Sequence, residues 1–356
     1  MRPVVVEIVQ ELTPGGIQVM VLELERLLAA DVDMHIVSLE STVERLALWP
    51  RAASLGRQLH ALDKPQGNDV ATVLSLTRLL RRLDAVSVHT HHIGPLLYGG
   101  LAARLAGVRR LVHTEHDAWH LKSQRRRRLQ AAALATLRPR LIADAATVAS
   151  ALVEAIPSSR PQIIRNGIDT MRFRPGDQRA ARQLFALPLV NPLIGSAGRL
   201  EPVKGHMLLI DAFATLPATF HLAIAGDGSM RPQLQERAGA LGIGERCHFL
   251  GHIDDMEAFY RALDVFCLPS QAEGLPLTLL EAQSCGLPAV ATAVGGVREV
   301  LAPNASIAVE PGNPAALANG LLCAIDRHGG TSPRRFIAEA FDARTMAQAY
   351  HTLLAA

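Results

Sequence analysis

Two glutamates eight positions apart, Glu273 and Glu281, flank a leucine-rich segment that begins at Pro276. Proline is favoured in the first turn of a helix and Gly274 permits a sharp bend before it, which predicts Glu273 in a loop and Glu281 inside the helix. A carboxylate accepts two hydrogen bonds at once, and the free N–H groups of a helix start bind phosphate oxygens. The spacing therefore indicates hydroxyl groups on either side of a phosphate, which is the outline of a nucleotide sugar.

Basic residues lie upstream of that segment, in "GRLEPVKGH". Arg199 directly follows a predicted strand, and Lys204 is predicted to open the next helix. A cation at a helix N-terminus is unfavourable unless an anion is also bound there, so the pair predicts a diphosphate site. A solvated surface arginine and lysine is the alternative. Gly226 and Gly228 follow the next predicted strand and either admit a base or ribose or form an ordinary strand-to-helix turn.

Paired glycines also follow the first predicted strand, in "TPGGIQV". Gly15 and Gly16 fall where a helix should start, so a phosphate or sugar could approach backbone that carries no Cβ. The motif is not the dinucleotide fingerprint because the third glycine is missing, and short glycine motifs have low specificity. A phosphate role and an ordinary tight turn both stay open for this pair.

Composition limits the kind of scaffold that positions these residues. A chain of 356 residues with 49% hydrophobic and 19% charged residues is long enough for two globular domains with buried cores. A formal net charge of +3 permits anionic partners such as nucleotides or lipid headgroups, and we expect no nucleic-acid partner. The four cysteines form no close pair, so neither a zinc ribbon nor a disulfide framework is indicated and a reducing cytosol is expected.

Short β-branched runs alternate with longer amphipathic stretches along the chain. The first series of predicted strands consists of VVVEIV, MHIVSL, AVSVHTH, RLVHTEH and QIIRNGI. The rhythm then restarts with LIGSAGRL, FHLAIAGDG, CHFLGHI, VFCLPS, PAVATAV and SIAVE. Alternation of strand and helix predicts an α/β fold with parallel, doubly wound sheets, and the restart predicts two of them.

A linker rich in proline, glycine and polar residues separates the two series and predicts a domain boundary near Arg174. The expected domains are residues 1–173 and 174–340. A last amphipathic segment, 341–356, is expected to cross back onto the first domain. Ligands of open parallel sheets bind at the carboxyl ends of the strands, so the candidate residues are expected to line a cleft between the domains.

Taken in order, the motifs resemble those of the retaining glycosyltransferases of family 4. The two glutamates are similar to the family's glutamate, seven residues, glutamate motif, and "GRLEPVKGHMLLIDAF" resembles its basic phosphate site. "PGGIQVMVLELERLL" resembles its glycine-rich first turn, "TEHD" its acceptor-side histidine and "RNGIDTMRFRP" its domain linker. The similarity covers nearly the whole chain. It implies the GT-B architecture, in which an acceptor-side domain and a donor-binding domain, both Rossmann-like, face each other.

The resemblance implies a role for each matching position. Glu273 would bind hydroxyls of the transferred sugar, and Glu281 would bind the ribose. Arg199 and Lys204 would hold the diphosphate, whose negative charge rises as the glycosidic bond breaks. His116 would lie near the sugar on the acceptor side. The remaining positions would line the donor site: Gly15, Gly16, Gly226, Gly228, Gly274, Leu275, Gly295 and Gly296.

The implied reaction moves a sugar from a UDP- or GDP-sugar to a glycan or lipid-linked acceptor, as in the synthesis of cell-surface polysaccharide or glycolipid. The family is thought to retain configuration by attack on the face from which the leaving group departs. We therefore expect no covalent intermediate, no metal and no other cofactor. Leu275 stands where phenylalanine is frequent, and Gln18 where glutamate or alanine often follows the paired glycines. Glu281 would read the ribose and not the base, which leaves the base open.

A histidine cluster supports a different class of function. His89, His91, His92, His113 and His116 lie at predicted strand ends, and imidazoles at alternate strand positions point the same way. Such a set could bind a divalent metal in a hydrolase, although it would leave the paired glutamates unexplained. A noncatalytic nucleotide-sugar binder, or an epimerase of the same fold, is a further alternative.

Membrane association is expected to be peripheral at most. The first residues lack the apolar core and cleavage site of a signal peptide, and no stretch reaches ~18 uninterrupted apolar residues, which favours a cytoplasmic protein. Four consecutive arginines in "KSQRRRRLQ" encircle a helix, so two or three of them could face an anionic bilayer. At ~1 kcal/mol per basic residue this permits transient docking. A solvated basic face is the alternative.

Overall fold

Seven parallel strands form the first sheet in the computed structural model, which describes residues 2–326 and 332–355. Their β-branched and aliphatic residues are buried on both faces because helices cover the sheet on either side. The strands are β1 (Val4–Val9), β2 (Asp33–Ser38), β3 (Leu59–Ala61), β4 (Ser87–His91), β5 (Arg110–Glu115), β6 (Arg140–Ala143) and β7 (Gln162–Ile163).

The helices packed with this sheet are joined to the strands by short loops. They are α1 (Gly16–Leu28), α2 (Val43–Ala47), α3 (Pro50–Ala53), α4 (Val70–Arg82), α5 (Ile93–Ala106), α6 (Gln124–Leu137) and α7 (Ala146–Ala155). Side chains of β1 and β4 pack with those of α4 and α5 into one core cluster, in which Ile8, Leu76 and Leu96 are fully buried.

A second sheet of six parallel strands follows. Its strands are β8 (Leu193–Ala197), β9 (His221–Ala225), β10 (Cys247–Gly251), β11 (Val265–Leu268), β12 (Ala289–Thr292) and β13 (Ile307–Val309). Its helices are α8 (Gln178–Leu184), α9 (His206–Phe213), α10 (Arg231–Ala240), α11 (Met256–Ala262), α12 (Leu277–Ser284), α13 (Val297–Val300), α14 (Pro314–Asp326) and α15 (Arg334–Ala340). A last helix, α16 (Ala343–Leu354), closes the chain.

Both sheets are doubly wound in the same order. The first runs β3-β2-β1-β4-β5-β6-β7 and the second β10-β9-β8-β11-β12-β13. The strand order therefore reverses between β1 and β4 and again between β8 and β11. Such a reversal, called the switch point, leaves a crevice at the carboxyl ends of its two strands where α/β folds bind their ligands.

The six strands predicted for the second series all form, whereas the first series differs from the prediction. The sequence pattern gave no signal for β3 or β6, because β3 is a half-buried edge strand of three residues and β6 has only four. The predicted strand "QIIRNGI" contributes only the two exposed residues of β7. Short or edge strands bury too few residues to show a clear apolar period.

The described chain forms two compact units, which divide at Gly167 and Ile168, ahead of the expected boundary at Arg174. Residues 168–173 belong to the second unit because the backbone N–H of Ile168 bonds to the carbonyl of Phe341 at 2.9 Å. The Ser284 hydroxyl also bonds to the carbonyl of Phe173 at 2.6 Å.

Helix α16 belongs to the first unit and packs against α1, β4 and β5. Its Tyr350 is fully buried, and the Ser87 hydroxyl on β4 bonds to the carbonyl of Leu354 at 2.5 Å. The unit that contains β1 to β7 is therefore completed by residues from the far end of the chain. Among the described residues, no helix combines the length and apolar character needed to cross a bilayer.

Candidate active site

Two loops meet at the switch point of the second sheet. The first, 198–205, follows β8 and the second, 269–276, follows β11. The backbone N–H of Gln271 bonds to the carbonyl of Val203 at 2.8 Å, which joins the loops directly. Gly205 has a φ of +68°, and a Cβ there would lie 2.0 Å from the carbonyl oxygen of Pro269. Only glycine allows this approach, so the loop positions depend on it.

Lys204 and Glu273 form an ion pair between these two loops. The Lys204 Nζ lies 2.7 Å from Oε1 of Glu273, and the Ser270 hydroxyl donates to the same oxygen at 2.6 Å. Ser270 is held in turn by Thr292, whose hydroxyl donates to its carbonyl at 2.5 Å. The Lys204 side chain is 24% exposed and that of Glu273 is 8% exposed, so the ammonium is the more accessible partner.

The sequence predicted that Lys204 opens a helix, but Lys204 instead ends a short 3-10 turn formed by Pro202–Lys204. Gly205 then leads into α9, because its left-handed conformation ends the turn before the helix begins. Arg199 lies earlier in the same loop, is exposed, and makes no side-chain hydrogen bond within the described part of the chain. The loop therefore presents one exposed cationic group, Arg199, and one that is ion-paired, Lys204.

Glycines also fix the loops on either side of the switch point. A Cβ on Gly226 would lie 2.0 Å from the carbonyl oxygen of Gly198, and one on Gly228 would lie 2.6 Å from that of Leu200. A Cβ on Gly295 would lie 1.8 Å from the carbonyl oxygen of Glu273. Each of these glycines is required by a neighbouring loop, which is a structural reason for its presence beside any contact with a ligand.

Glu281 lies in the second turn of α12 and is 8% exposed. The hydroxyl of Tyr260, on α11, donates to its Oε2 at 2.7 Å. Burial is the main cause that raises the pKa of Tyr260 well above its usual value, so the phenol stays a donor. Leu275 is buried, and the carbonyl of Gly274 accepts a hydrogen bond from the N–H of Gly296 at 2.9 Å.

The first sheet places several polar side chains on one face at its own switch point. Glu7 on β1 is the register partner of His89 on β4, and His91 lies two residues further along the same face. The neighbouring strand adds Thr114, the partner of His91, and His116 follows two residues later. The His-x-His spacing that suggested metal ligands therefore aims both rings at Glu7.

Hydrogen bonds link four of these buried groups in a row, which we call the Glu7–Asp144 chain: Glu7, His91, His116 and Asp144. The Nε2 of His91 lies 2.8 Å from Oε2 of Glu7, and its Nδ1 lies 3.0 Å from Nε2 of His116. The Nδ1 of His116 lies 3.1 Å from Oδ2 of Asp144. Both ring nitrogens of His116 are thus occupied within the first unit.

Burial sets the protonation of this chain. Burial raises the pKa of Glu7, but the adjacent His89 and His91 rings outweigh it and lower that pKa to about 2. Burial lowers the pKa of His91 and of His116 well below the usual value for histidine. Burial also raises the pKa of Asp144 well above that of an ordinary aspartate. Glu7 is therefore ionised, the two rings are neutral and Asp144 is an uncharged acid.

His89 extends the network toward α16. Its Nδ1 lies 3.0 Å from Oε1 of Glu7 and its Nε2 lies 2.8 Å from the Thr114 hydroxyl. The Thr114 hydroxyl lies 3.0 Å from that of Tyr350. Atoms of Glu7, His89 and His91 lie within 4.8 Å of one another, a spacing that a metal could bridge, but here the same atoms are hydrogen-bonded to each other.

The opposite face of the same strands carries a second polar cluster. His113 Nε2 lies 2.8 Å from Oε1 of Glu115, and Gln130 donates to that oxygen at 2.5 Å. The Nε2 of His120 lies 2.6 Å from the side-chain oxygen of Gln130, and its Nδ1 lies 3.2 Å from Asp117. His92, by contrast, is partly exposed beside these carboxylates.

Gly15 and Gly16 stand where the sequence predicted, at the start of α1. Gly15 is extended, and a Cβ on it would lie 2.7 Å from the side-chain oxygen of Gln18, a flexible group. The amide of Gln18 donates to the carbonyl of Glu11 at 2.9 Å and so lies across the helix start. Gln18 therefore fills space that paired glycines leave open.

The predicted residues fall into two groups, one at the carboxyl edge of each sheet. The second sheet brings together Arg199, Lys204, Gly226, Gly228, Glu273, Gly274, Leu275, Glu281, Gly295 and Gly296. The first sheet holds Gly15, Gly16 and His116. The sequence reasoning missed Ser270, Tyr260, Glu7 and Asp144. Ser270 had a usable signal, since it is a polar residue at the end of the predicted strand VFCLPS, but the other three reach the site residues through hydrogen bonds that depend on tertiary packing.

Family models match both halves of the chain. Residues 14–172 match the model described as Glycosyltransferase Family 4, and residues 177–342 match that described as Glycosyl transferases group 1. A D-inositol 3-phosphate glycosyltransferase of Salinispora tropica is 30% identical over 353 residues, covering 86% of this chain and 73% of the relative. One of Geodermatophilus obscurus is 35% identical over 205 residues, covering 53% of this chain and 46% of the relative, so this match spans less than half of that relative.

A solved structure gives the same answer for the fold. The crystal structure of the Anabaena protein HepE in complex with UDP and glucose matches with a TM-score of 0.84 over 99% of both chains, at 21% identity. Two doubly wound parallel sheets, the matching motifs and these similarities lead to one conclusion. The chain belongs to the group 1 glycosyltransferases of family 4 and has the GT-B fold.

Proposed function

We propose that the loops at the switch point of the second sheet bind a nucleoside-diphosphate sugar as the glycosyl donor. The observation that carries this proposal is the Lys204–Glu273 ion pair, which places a cation and a carboxylate 2.7 Å apart at the carboxyl ends of β8 and β11. The start of α12 follows directly after, with backbone N–H groups suited to phosphate oxygens.

An entering diphosphate would exchange partners with this ion pair. Lys204 would turn from Glu273 to the phosphate, and the exposed Arg199 would add a second positive charge. Glu273 would then be free to accept hydroxyl groups of the sugar while Ser270 still holds its Oε1. Because negative charge grows on the diphosphate as the sugar leaves, these cations would stabilise the transition state more than the bound donor.

Glu281 would accept the ribose hydroxyls. The hydroxyl of Tyr260 holds one carboxylate oxygen from the buried side, so the side chain has a fixed position before a ligand arrives. Preorganisation of this kind lowers the conformational cost of binding. The roles of Gly15, Gly16 and His116 on the acceptor side follow from the family resemblance and belong to the same proposal.

We propose a UDP- or GDP-sugar donor and a glycan or lipid-linked acceptor, in synthesis of cell-surface polysaccharide or glycolipid. The solved HepE complexes contain UDP, glucose or UDP-glucose, which favours testing UDP-glucose first. The names of the curated relatives make an inositol phosphate a second acceptor class to test. Transfer would retain configuration. NMR of the product should give the same anomeric configuration as the donor, and inversion would contradict this part of the proposal.

We place the enzyme in the cytoplasm, with transient docking on an anionic membrane through the start of α6. Arg125, Arg126 and Arg128 are exposed there, with Leu129 beside them, so three basic groups reach solvent from one end of the helix. Vesicles containing anionic lipid should carry the protein upward in flotation, and added salt should release it. Failure to float at low salt would exclude this contact.

A thermal-shift panel of nucleotide sugars tests the donor proposal. A ligand at a hundredfold excess over its dissociation constant adds ~2.7 kcal/mol to stability, which should raise the midpoint by several degrees. Lys204→Ala should remove most of that shift, whereas Arg179→Ala, an exposed cation on α8, should keep it. If every UDP- and GDP-sugar leaves the wild-type midpoint unchanged, the proposal is wrong. A shift without transfer to any acceptor would favour the noncatalytic binder.

A further inference from the structure

With one negative charge shared between its two carboxyl groups, the Glu7–Asp144 chain has two complete hydrogen-bond arrangements. Each ring in it is neutral, so each carries one N–H and one lone pair. In the first arrangement Asp144 donates to His116, His116 donates to His91 and His91 donates to an ionised Glu7. In the second, every proton has moved one place, so that Glu7 is a neutral acid and Asp144 carries the negative charge. With neutral rings and a single negative charge, no other assignment satisfies all three contacts.

The surroundings of the two ends favour the charge on Glu7. Its carboxylate faces two imidazole donors, with Nδ1 of His89 and Nε2 of His91 both within 3.0 Å of its oxygens. No acidic side chain is among the groups that shift its protonation. A buried carboxylate with two such donors is well compensated.

A negative charge on Asp144 is energetically unfavourable. It receives a hydrogen bond from Asn166 at 2.9 Å on the same Oδ2 that faces His116, while its Oδ1 is buried with no partner among the described residues. Burial, Asp117 and Glu115 disfavour its ionisation, whereas His92 and the hydrogen bond from Asn166 favour it. An ionised Asp144 would leave half of a buried carboxylate unpaired, which is costly.

We propose that Glu7 is a positioning residue that fixes the tautomer of His116 from two hydrogen bonds away. With the charge held on Glu7, His116 keeps its proton on Nε2 and presents a lone pair at Nδ1 toward Asp144, which stays an uncharged acid. His116 can then accept a hydrogen bond from a ligand hydroxyl at Nδ1 once Asp144 turns aside. The single negative charge of the chain then lies on Glu7 within β1 and not on Asp144, which directly follows β6.

Two rows of hydrogen bonds meet at Glu7, the His89 arm and the arm that runs through His91 and His116. They differ in how easily their hydrogen bonds can reverse direction, and this difference supplies a matched pair of variants. The His89 arm ends in the hydroxyls of Thr114 and Tyr350, which reverse by rotation. The other arm ends in Asp144, which reverses only by ionising or by moving its proton to Oδ1, a buried atom with no partner among the described residues. In Glu7→Gln the amide oxygen should therefore face His91 and the amide nitrogen should face His89, so the tautomer of His116 is kept. Glu7→Leu removes the acceptor, and the chain should reverse.

Long-range ¹H–¹⁵N spectra of histidine-labelled full-length protein read the tautomer directly, with His116→Gln used to assign its signals. The wild type and Glu7→Gln should show a protonated Nε2 and an unprotonated Nδ1 on His116, and Glu7→Leu should show the reverse. A protonated Nδ1 in the wild type would overturn the proposal, as would an unchanged tautomer in folded Glu7→Leu. The wild-type spectrum decides the question even if Glu7→Leu does not fold.

The consequence for catalysis rests on the proposed glycosyl transfer and on the role of His116 in it. Glu7→Gln should keep kcat within about twofold. Glu7→Leu should lower kcat at least tenfold while the KM for the donor changes little, since the donor loops lie in the second unit. Equal kcat in both variants would remove the positioning role. If no nucleotide sugar binds the wild type at all, the proposed function fails, whereas the histidine spectra still judge the tautomer.

Discussion

The two sheets follow the same pattern of strand order, but their carboxyl edges are held together by different interactions. In the second sheet, close backbone contacts at Gly205, Gly226 and Gly295 hold the loops, and the cationic side chains of Arg199 and Lys204 are exposed or partly exposed. In the first sheet, imidazoles and carboxylates are buried and bonded to one another. A ligand can exchange partners with Lys204 at modest cost, whereas it reaches His116 only by breaking a buried hydrogen bond.

The largest effect should come from removing Lys204, the cation at the carboxyl edge of the second sheet that would exchange Glu273 for a phosphate. Lys204→Ala should lower kcat/KM for the donor by about 10²–10³, because a positioned group that stabilises developing charge is lost. It also leaves Glu273 with a hydrogen bond from Ser270 but without its ion pair. Steady-state kinetics measures this effect, and Arg179→Ala serves as the control. A loss below threefold would mean that the diphosphate lies elsewhere.

Substitutions of the two glutamates at the carboxyl edge of the second sheet should have different effects, one on donor affinity and one on turnover. Glu281→Ala should raise the donor dissociation constant about 10–100-fold, because each hydrogen bond to a charged group contributes about 1.5–3 kcal/mol. Glu273→Gln keeps an acceptor, so it should mainly lower kcat. Calorimetry and initial rates separate the two effects. Tyr260→Phe, which keeps Glu281 and removes only its buried hydrogen bond, should weaken binding less than Glu281→Ala.

Wild-type turnover in both Glu281→Ala and Glu273→Gln would remove the case for the second edge as the donor site. The reverse pattern, with Glu273→Gln losing affinity and Glu281→Ala only slowed, would exchange their assignments to sugar and ribose.

A smaller effect should appear in the stability of the first edge. The folded-state pKa of Asp144 lies above that of the unfolded chain, so folding takes up a proton and stability falls as pH rises above ~4. Asp144→Asn can donate to His116 without carrying a charge. Its midpoint should therefore exceed that of the wild type by a few degrees at pH 8, and the difference should vanish near pH 4.

Differential scanning calorimetry across pH 4–8 tests this prediction. The polar and titratable groups that act on Asp144 are His116, Asn166, His92, Glu115 and Asp117. A variant that is less stable than the wild type by about the same amount at every pH from about 5 to 8 would place the charge on Asp144. That outcome would also reverse the hydrogen-bond direction assigned to the Glu7–Asp144 chain.

The smallest effect is expected from metal removal. Glu7, His89 and His91 are satisfied by hydrogen bonds to one another, so EDTA treatment followed by gel filtration should change transfer activity by less than about twofold. Loss of activity that stoichiometric Zn²⁺ or Mn²⁺ restores would contradict this prediction. It would also favour the alternative that the histidine cluster binds a divalent metal in a hydrolase.

The sequence predicted the second edge far better than the first, for a physical reason. Glycines at close contacts, Lys204 and the two glutamates act through local loop geometry, so their spacing along the chain carries the information. Glu7 and Asp144 instead meet His91 and His116 through the register of β1, β4, β5 and β6, and nothing in their own surroundings along the chain marks them. Helix α16 adds Tyr350 from the far end of the chain.

A crystal structure of the protein with bound UDP is the decisive test of the donor site. We expect the nucleotide at the carboxyl edge of the second sheet, with Lys204 and Arg199 on the diphosphate, the ribose on Glu281 and the Lys204–Glu273 contact broken. UDP bound elsewhere, with Lys204 still 2.7 Å from Glu273, would contradict it.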